Sequence, residues 1–244
     1  IHQQAFAKAL HVYHIPAPII TAITGIETNY GTHMGNYPAY LALGTLAFRY
    51  PIDKKNPSRR LKRQAFFQKE LAELIVLAKK NNLKTLSIKS SYAGALGIPQ
   101  FMPSSYRHYA VNEQGKKNGD IDLLTDHNDS IMSIANYLYQ HHWRPREFTA
   151  VPIIYSNNNV TLLNQLIAEK KYHRLDWYRK QGIESKTTLN GNDLARIVSL
   201  NTSNKSIQYW LVSKNFNAIL RYNPRVNYAM AVYQLSTKFQ NVSA

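Results

Sequence analysis

Residues 91–106 read Ser91-Tyr92-Ala93-Gly94-Ala95-Leu96-Gly97-Ile98-Pro99-Gln100-Phe101-Met102-Pro103-Ser104-Ser105-Tyr106. The stretch 84–103 is rich in small side chains and Gly, which predicts irregular backbone. Ala93, Gly94, Ala95 and Gly97 leave room for a ligand to approach the main chain closely. A tightly packed buried loop would use the same residues, and the two readings are compatible. Gln100 carries both a donor and an acceptor, and Ser91 carries a hydroxyl. Such groups can pair with polar groups of a ligand.

Upstream, Pro18 suits a helix N-terminus, and Ile19, Ile20, Ile23, Ile26 and Tyr30 follow at helical spacing, with Gly31 as a stop. Glu27 lies four residues after Ile23 and eight after Ile19, so its carboxyl falls on the apolar face near the helix C-terminus. Desolvation and the negative end of the helix dipole both favour its protonated form there. A carboxylic acid kept protonated can donate to the leaving oxygen of a glycosidic bond. Position alone leaves a second reading open, an acid that reaches solvent or pairs with an Arg.

The flanking sequence continues in helices: Ala39–Tyr50, closed by Pro51, and an amphipathic stretch from Leu61 to Lys80 after a basic loop at 51–60. Asp129 is placed to cap a helix carrying Ile131, Ile134, Ala135 and Leu138. Beyond residue 145 the texture changes. A short helical pattern at 160–169 precedes two β-like runs, Ala195–Leu200 and Ile207–Val212, read as a hairpin across the turn 201–206. A last helix fits about Arg225–Phe239. The expected organisation is one catalytic unit over 1–244, with a helical core from 1–142 and 221–244 and a small β-containing lobe at about 145–220.

The 244 residues carry a formal charge of +16, which favours a polyanionic partner: nucleic acid, an anionic membrane face or a cell-wall polymer. No zinc-finger spacing or RNP-type motif accompanies the charge. The absence of Cys excludes disulfides and thiolate metal sites. No apolar run approaches membrane-spanning length. The chain starts at Ile1 rather than Met, from which removal of a leader or lipid-anchor segment is expected. The nine histidines are scattered without the spacing of a metal site.

Ile26-Glu27-Thr28-Asn29-Tyr30-Gly31 resembles the turn at the catalytic acid of lysozyme-like transglycosylases. Residues 91–106 closely resemble the Gln-Phe-Met-Pro-Ser segment of the lytic murein transglycosylase B family. Two further blocks are similar, Ala135-Asn136-Tyr137 before His142-Trp143, and Arg221-Tyr222-Asn223 followed by Tyr228-Ala229-Met230-Ala231-Val232. The blocks stand in family order and cover most of the chain. The resemblance implies a mainly α (α+β) fold, a lysozyme-like helical core with a small β-containing insertion. It implies peptidoglycan as substrate and Glu27 as the acid/base. Ser91, Gln100, Tyr137, Tyr222, Asn223 and Tyr228 would line sugar subsites, with Phe101 and Met102 in the wall. It implies cleavage of the β-1,4 bond between N-acetylmuramic acid and N-acetylglucosamine without water, leaving a 1,6-anhydro end. A monomer in the periplasm of a Gram-negative bacterium is expected, with an outer-membrane anchor in a missing segment and no specific nucleic acid partner.

Two departures from the family stand out. Its calcium loop corresponds to residues 112–126, but here Gln114 falls at the first ligand position and Lys116 at the third, and a lysine cannot ligate a hard cation. That leaves Asn118, Asp120, Asp122 and Asp126, a degenerate loop expected to be empty, and no cofactor is expected. The basic pair that follows a Tyr-Pro step is best matched, after an insertion, by Lys62 and Arg63, and a Lys loses the bidentate fork. Arg63 is kept as the contact to the substrate. Three alternatives share parts of this reading. A muramidase would hydrolyse the same bond, a non-catalytic protein would only bind peptidoglycan, and charge alone suggests a nucleic-acid binder.

Overall fold

A computed structural model describes residues 1–52, 57–81, 84–117, 120–202, 204 and 206–242. The chain divides into two compact units, Ile1–Gln140 and His141–Ala244. Residues 221–244, grouped in the sequence reading with the helical core, cluster with the second unit.

The first unit is helical. Its elements are α1 (Gln3–Tyr13), α2 (Ala17–Thr28), α3 (Ala39–Phe48), α4 (Pro57–Lys80), α5 (Pro103–Tyr109) and α6 (His127–Gln140). A two-stranded antiparallel ladder joins β1 (Tyr37–Pro38) to β2 (Lys89–Ser90). Ile19, Ile20 and Ile23 of α2, Leu43 and Ala47 of α3, Phe67, Leu74 and Leu77 of α4, and Met132, Ile134 and Leu138 of α6 are buried. Pro57 starts α4 earlier than the predicted Leu61 and fits the first helical position, where a missing N–H costs nothing.

The second unit holds a five-stranded antiparallel sheet of order β4-β6-β7-β3-β5. Its members are β3 (Ala150–Ile154), β4 (His173–Arg174), β5 (Glu184–Ser185), β6 (Leu194–Asn201) and β7 (Ile207–Val212). The predicted hairpin is β6–β7, in register from Arg196↔Val212 to Asn201↔Ile207. The helices here are α7 (Val160–Glu169), α8 (Leu175–Lys180), α9 (Lys214–Tyr222) and α10 (Val226–Val242). Val151, Ile153, Leu163, Leu166, Tyr178, Ile197 and Leu211 form one buried cluster under the sheet. Helix α10 packs on α9 and β6.

Asp129 is not the cap of α6. The Asp126 carboxylate accepts from the N–H groups of Asn128 (2.6 Å) and Asp129 (3.1 Å), so it satisfies the free donors of the first turn. Asp129 lies inside that turn, buried, where it accepts from Asp122 N–H at 2.9 Å. Burial raises its pKa above the ordinary carboxylate value.

Candidate active site

Helix α2 is set up by Pro16 in extended conformation and Pro18 in its first turn. It ends earlier than Gly31. Asn29 (φ 47°) and Tyr30 (φ 57°) both adopt left-handed backbone before Gly31 (φ 86°). Asn29 N–H bonds to Gly25 O at 3.0 Å and Tyr30 N–H to Thr24 O at 3.2 Å, closing the helix tightly. Non-glycine residues in this region are uncommon, and two in succession mark a turn that its surroundings hold in place. Glu27 therefore sits in the last turn of α2, partly buried.

Thr28 is the main fastening of that turn. Its hydroxyl donates to Ile98 O at 3.0 Å and accepts from Gly31 N–H at 2.9 Å. The next turn is held by His127 of α6, whose Nε2 donates to Tyr30 O at 3.3 Å. His2 stacks on His127 with ring centroids 5.1 Å apart and is tied to Asn128 Oδ1 at 2.7 Å. The Tyr30 ring lies against Gly25, where a Cβ would come within 2.9 Å of its Oη. Only a residue without a side chain admits this contact.

The loop 91–101 meets α2 through Thr28. Ser91 N–H bonds to Ala95 O at 2.9 Å, and Ala95 N–H bonds to Ser91 Oγ at 3.1 Å. Leu96 and Phe101 exchange bonds of 2.8 and 3.1 Å. Gly97 (φ 65°) sits against the Leu123 carbonyl so closely that any Cβ would overlap it. Gln100, also left-handed (φ 52°), sends its amide nitrogen to Gly97 O (2.9 Å) and Met34 O (3.2 Å). The predicted ligand-reading residue is thus also a clasp between this loop and the chain following α2.

The other predicted residues divide by environment. Phe101 and Tyr137 are in packing, at 2% and 8% exposure, with ring centroids 5.4 Å apart, and Tyr109 meets Tyr137 edge-on at 4.7 Å. Met102, partly buried, immediately precedes α5. Arg63 is exposed on α4 and lies over Phe67 (4.8 Å), Phe66 (5.2 Å) and Tyr50 (6.0 Å), so aromatic faces hold its guanidinium. Glu27, Ser91, Gln100, Phe101, Met102, Tyr137 and Arg63 belong to the first unit. Tyr222, Asn223 and Tyr228 are brought together in the second, around the α9–α10 junction. The rings of Tyr222 and Tyr228 are nearly parallel, at 12° and 6.5 Å.

The sequence reading missed Glu70. It is 2% exposed and accepts from Ser104 N–H (2.9 Å) and Ser104 Oγ (2.6 Å), capping α5 immediately after Phe101-Met102. Glu73 pairs with Arg107 at 2.6 Å, a second tie of α5 to α4. The available signal was weak: two acids three residues apart on the inward face of α4.

In the stretch 112–126, several of the described side-chain oxygens bond to nearby backbone. Asn112 Oδ1 accepts from Gln114 and Lys116 N–H groups at 3.1 and 2.9 Å. Asp122 Oδ1 accepts from Leu124 and Thr125 N–H groups at 2.7 and 3.1 Å, and Oδ2 from the Thr125 hydroxyl. The Asp122 carboxylate is thus engaged by its own turn, and calcium needs six or more converging oxygens. Asn118 lies outside the described residues. Among the described residues no group of three or more His, Asp or Glu could hold a metal ion.

The first unit is thus a helical body with an acid in the last turn of α2, joined through Thr28 to a glycine-rich loop. The chain belongs to the transglycosylase SLT domain family, which matches residues 1–237. It is 35% identical over 234 residues to the membrane-bound lytic murein transglycosylase B of Escherichia coli K12, covering 96% of this chain and 60% of that protein. The chain thus spans about 60% of the length of this curated relative. The soluble lytic transglycosylase SltB1 of Pseudomonas aeruginosa superimposes with a TM-score of 0.83 at 34% identity, over 99% of this chain and 76% of that one. The Escherichia coli lytic transglycosylase Slt35, solved in complex with calcium, gives 0.82 at 33% identity, over 97% and 70%. The fold is mainly α, of the α+β class, with the lysozyme-like core expected from the sequence.

Proposed function

We propose that this chain is a lytic transglycosylase of bacterial peptidoglycan, with Glu27 as its acid/base. The observation that carries the reading is the placement of Glu27. It stands in the last turn of α2, next to Thr28, whose hydroxyl fastens that helix to the loop bearing Ser91 and Gln100.

Glu27 in its acid form gives its proton to the oxygen between N-acetylmuramic acid and N-acetylglucosamine, and the glycosidic bond breaks. The acetamido group of the muramic residue shields the developing positive charge. Glu27, now a carboxylate, removes the proton from the C6 hydroxyl of the same sugar. That oxygen bonds to the anomeric carbon, closing the 1,6-anhydro ring and returning Glu27 to its starting state. No water is consumed.

A single acid suits this route. The buried acids of α4, Glu70 and Glu73, are committed to Ser104 and Arg107. The Gln100 amide nitrogen is held by backbone carbonyls, so its carbonyl oxygen is the end that meets a substrate N–H. Ser91 Oγ accepts from Ala95 N–H and keeps its own proton for a sugar oxygen. Arg63 meets the carboxylates of the substrate, and Phe101, Met102 and Tyr137 support the loop. Tyr222 and Tyr228 offer ring faces to sugars, and Asn223 offers an amide.

The enzyme works where murein lies, in the periplasm of a Gram-negative bacterium, as a monomer and without calcium or a nucleic-acid partner. Digestion of purified sacculi in heavy-oxygen water tests the chemistry. New muramic ends free of the label are expected. Labelled reducing ends would make the protein a muramidase, and no new ends would make it a binding protein.

A further inference from the structure

We propose that the outward face of α4 is a docking surface for anionic lipid headgroups. At 3.6 residues per turn, Leu61, Ala65, Ala72, Ile75 and Val76 fall within an arc of about 100°. The side chains of Phe67, Leu74, Leu77 and Ala78 are buried on the opposite side of the helix. A helix that packs on one face is ordinarily polar on the other. Here the second face carries an apolar stripe, interrupted by Gln68, which bonds to Ala47 O of α3, and by Lys79: Leu61 is 66% exposed, Ile75 55% and Val76 50%.

The charges select the occupant. Lys62, Lys69, Lys79 and Lys80 are exposed on or beside this stripe. The acids of the same helix, Glu70 and Glu73, are buried and bound to Ser104 and Arg107. The face therefore presents apolar side chains and positive charge with no counter-charge of its own. A second copy of the chain would bring one lysine row against another. A zwitterionic bilayer would satisfy only the apolar part. Anionic headgroups over an acyl layer satisfy both. The stripe from Leu61 to Val76 is about 22 Å long, enough to lie along a membrane surface. Among the described residues no single helix is long and apolar enough to cross one. The proposal concerns attachment and does not rest on the glycan chemistry.

Co-sedimentation with vesicles of phosphatidylglycerol and phosphatidylcholine, beside vesicles of phosphatidylcholine alone, tests it. The wild-type chain is expected to sediment with the anionic vesicles and to be released by salt. Leu61→Gln/Ile75→Gln/Val76→Gln should lower that partition about tenfold or more, and Lys69→Gln/Lys79→Gln/Lys80→Gln by a similar factor. Both variants should keep wild-type turnover of soluble glycan fragments and an unchanged Tm. Three results would overturn the proposal: no binding by the wild type, full binding by the apolar variant, or a wild-type dimer in sedimentation analysis that this variant dissolves.

Discussion

The Thr28 hydroxyl donates to the Ile98 carbonyl across 3.0 Å, joining the helix that carries Glu27 to the glycine-rich loop. The same oxygen accepts from Gly31 N–H, and Thr28 is only 1% exposed. Thr28→Val keeps the shape and strands both partners, at a cost of about 1–3 kcal/mol. Urea unfolding should show that loss. Turnover of purified glycan should fall about tenfold or more, because the loop and the acid lose their common anchor. Thr28→Ser should recover most of both.

Gly25→Ala separates stability from activity. Alanine favours a helix over glycine by about 1 kcal/mol. Its Cβ, however, would come within 2.9 Å of Tyr30 Oη. Tyr30 is 45% exposed, so its ring can swing aside. Thermal unfolding should change by no more than about 1 kcal/mol in either direction. Glycan turnover should drop because the left-handed turn after Glu27 loses its brace. Equal losses in both would mean that the ring does not brace the turn.

Alkaline stability follows from Tyr106. Burial pushes its pKa from 10.0 up to about 12. Its hydroxyl donates to Ile121 O at 2.8 Å and accepts from Leu123 N–H at 3.1 Å. The unfolded chain loses this proton first, so the folded state is penalised as pH rises from about 10 to about 12. Denaturant titrations should show stability falling by about 1 kcal/mol between pH 9 and pH 11 from this group. Tyr106→Phe should be less stable at pH 9, for want of two hydrogen bonds, and should show a shallower decline above it.

Chelation should do nothing. Asp122 and Asp126 already bond to their own backbone, so removing calcium takes away no cross-link. Excess EDTA should leave both the unfolding midpoint and glycan turnover unchanged. A fall in either that calcium alone restores would contradict this reading of residues 112–126.

The parts legible in the sequence were those with strong periodicity or special chemistry. The isoleucines of α2 mark that helix by their spacing, and the β-like runs of β6 and β7 stand out on either side of a polar turn. Glu27 stands out by its place on an apolar helix face, which alone leaves two readings open, and the resemblance of residues 26–31 chooses between them. Other features depend on contacts between distant segments. Nothing in the run around Gln100 reveals that its amide clasps Met34 O, 66 residues away. The role of Glu70 depends on Ser104, which is 34 residues distant. Asp126 rather than Asp129 caps α6 because the helix begins two residues before Asp129, and boundaries are set by local hydrogen bonding. The edge strands β4 and β5 have two residues each, too short for any alternation to show.

The central claim is that one carboxyl group performs both proton transfers. The most direct measurement is mass analysis of muropeptides released from purified sacculi by the wild type and by Glu27→Gln, at matched folded concentration. The wild type should release muramic ends lighter by one water than hydrolysed ones, and Glu27→Gln should release none above background. Anhydro ends formed by the Gln variant at an undiminished rate would show that another group carries the chemistry.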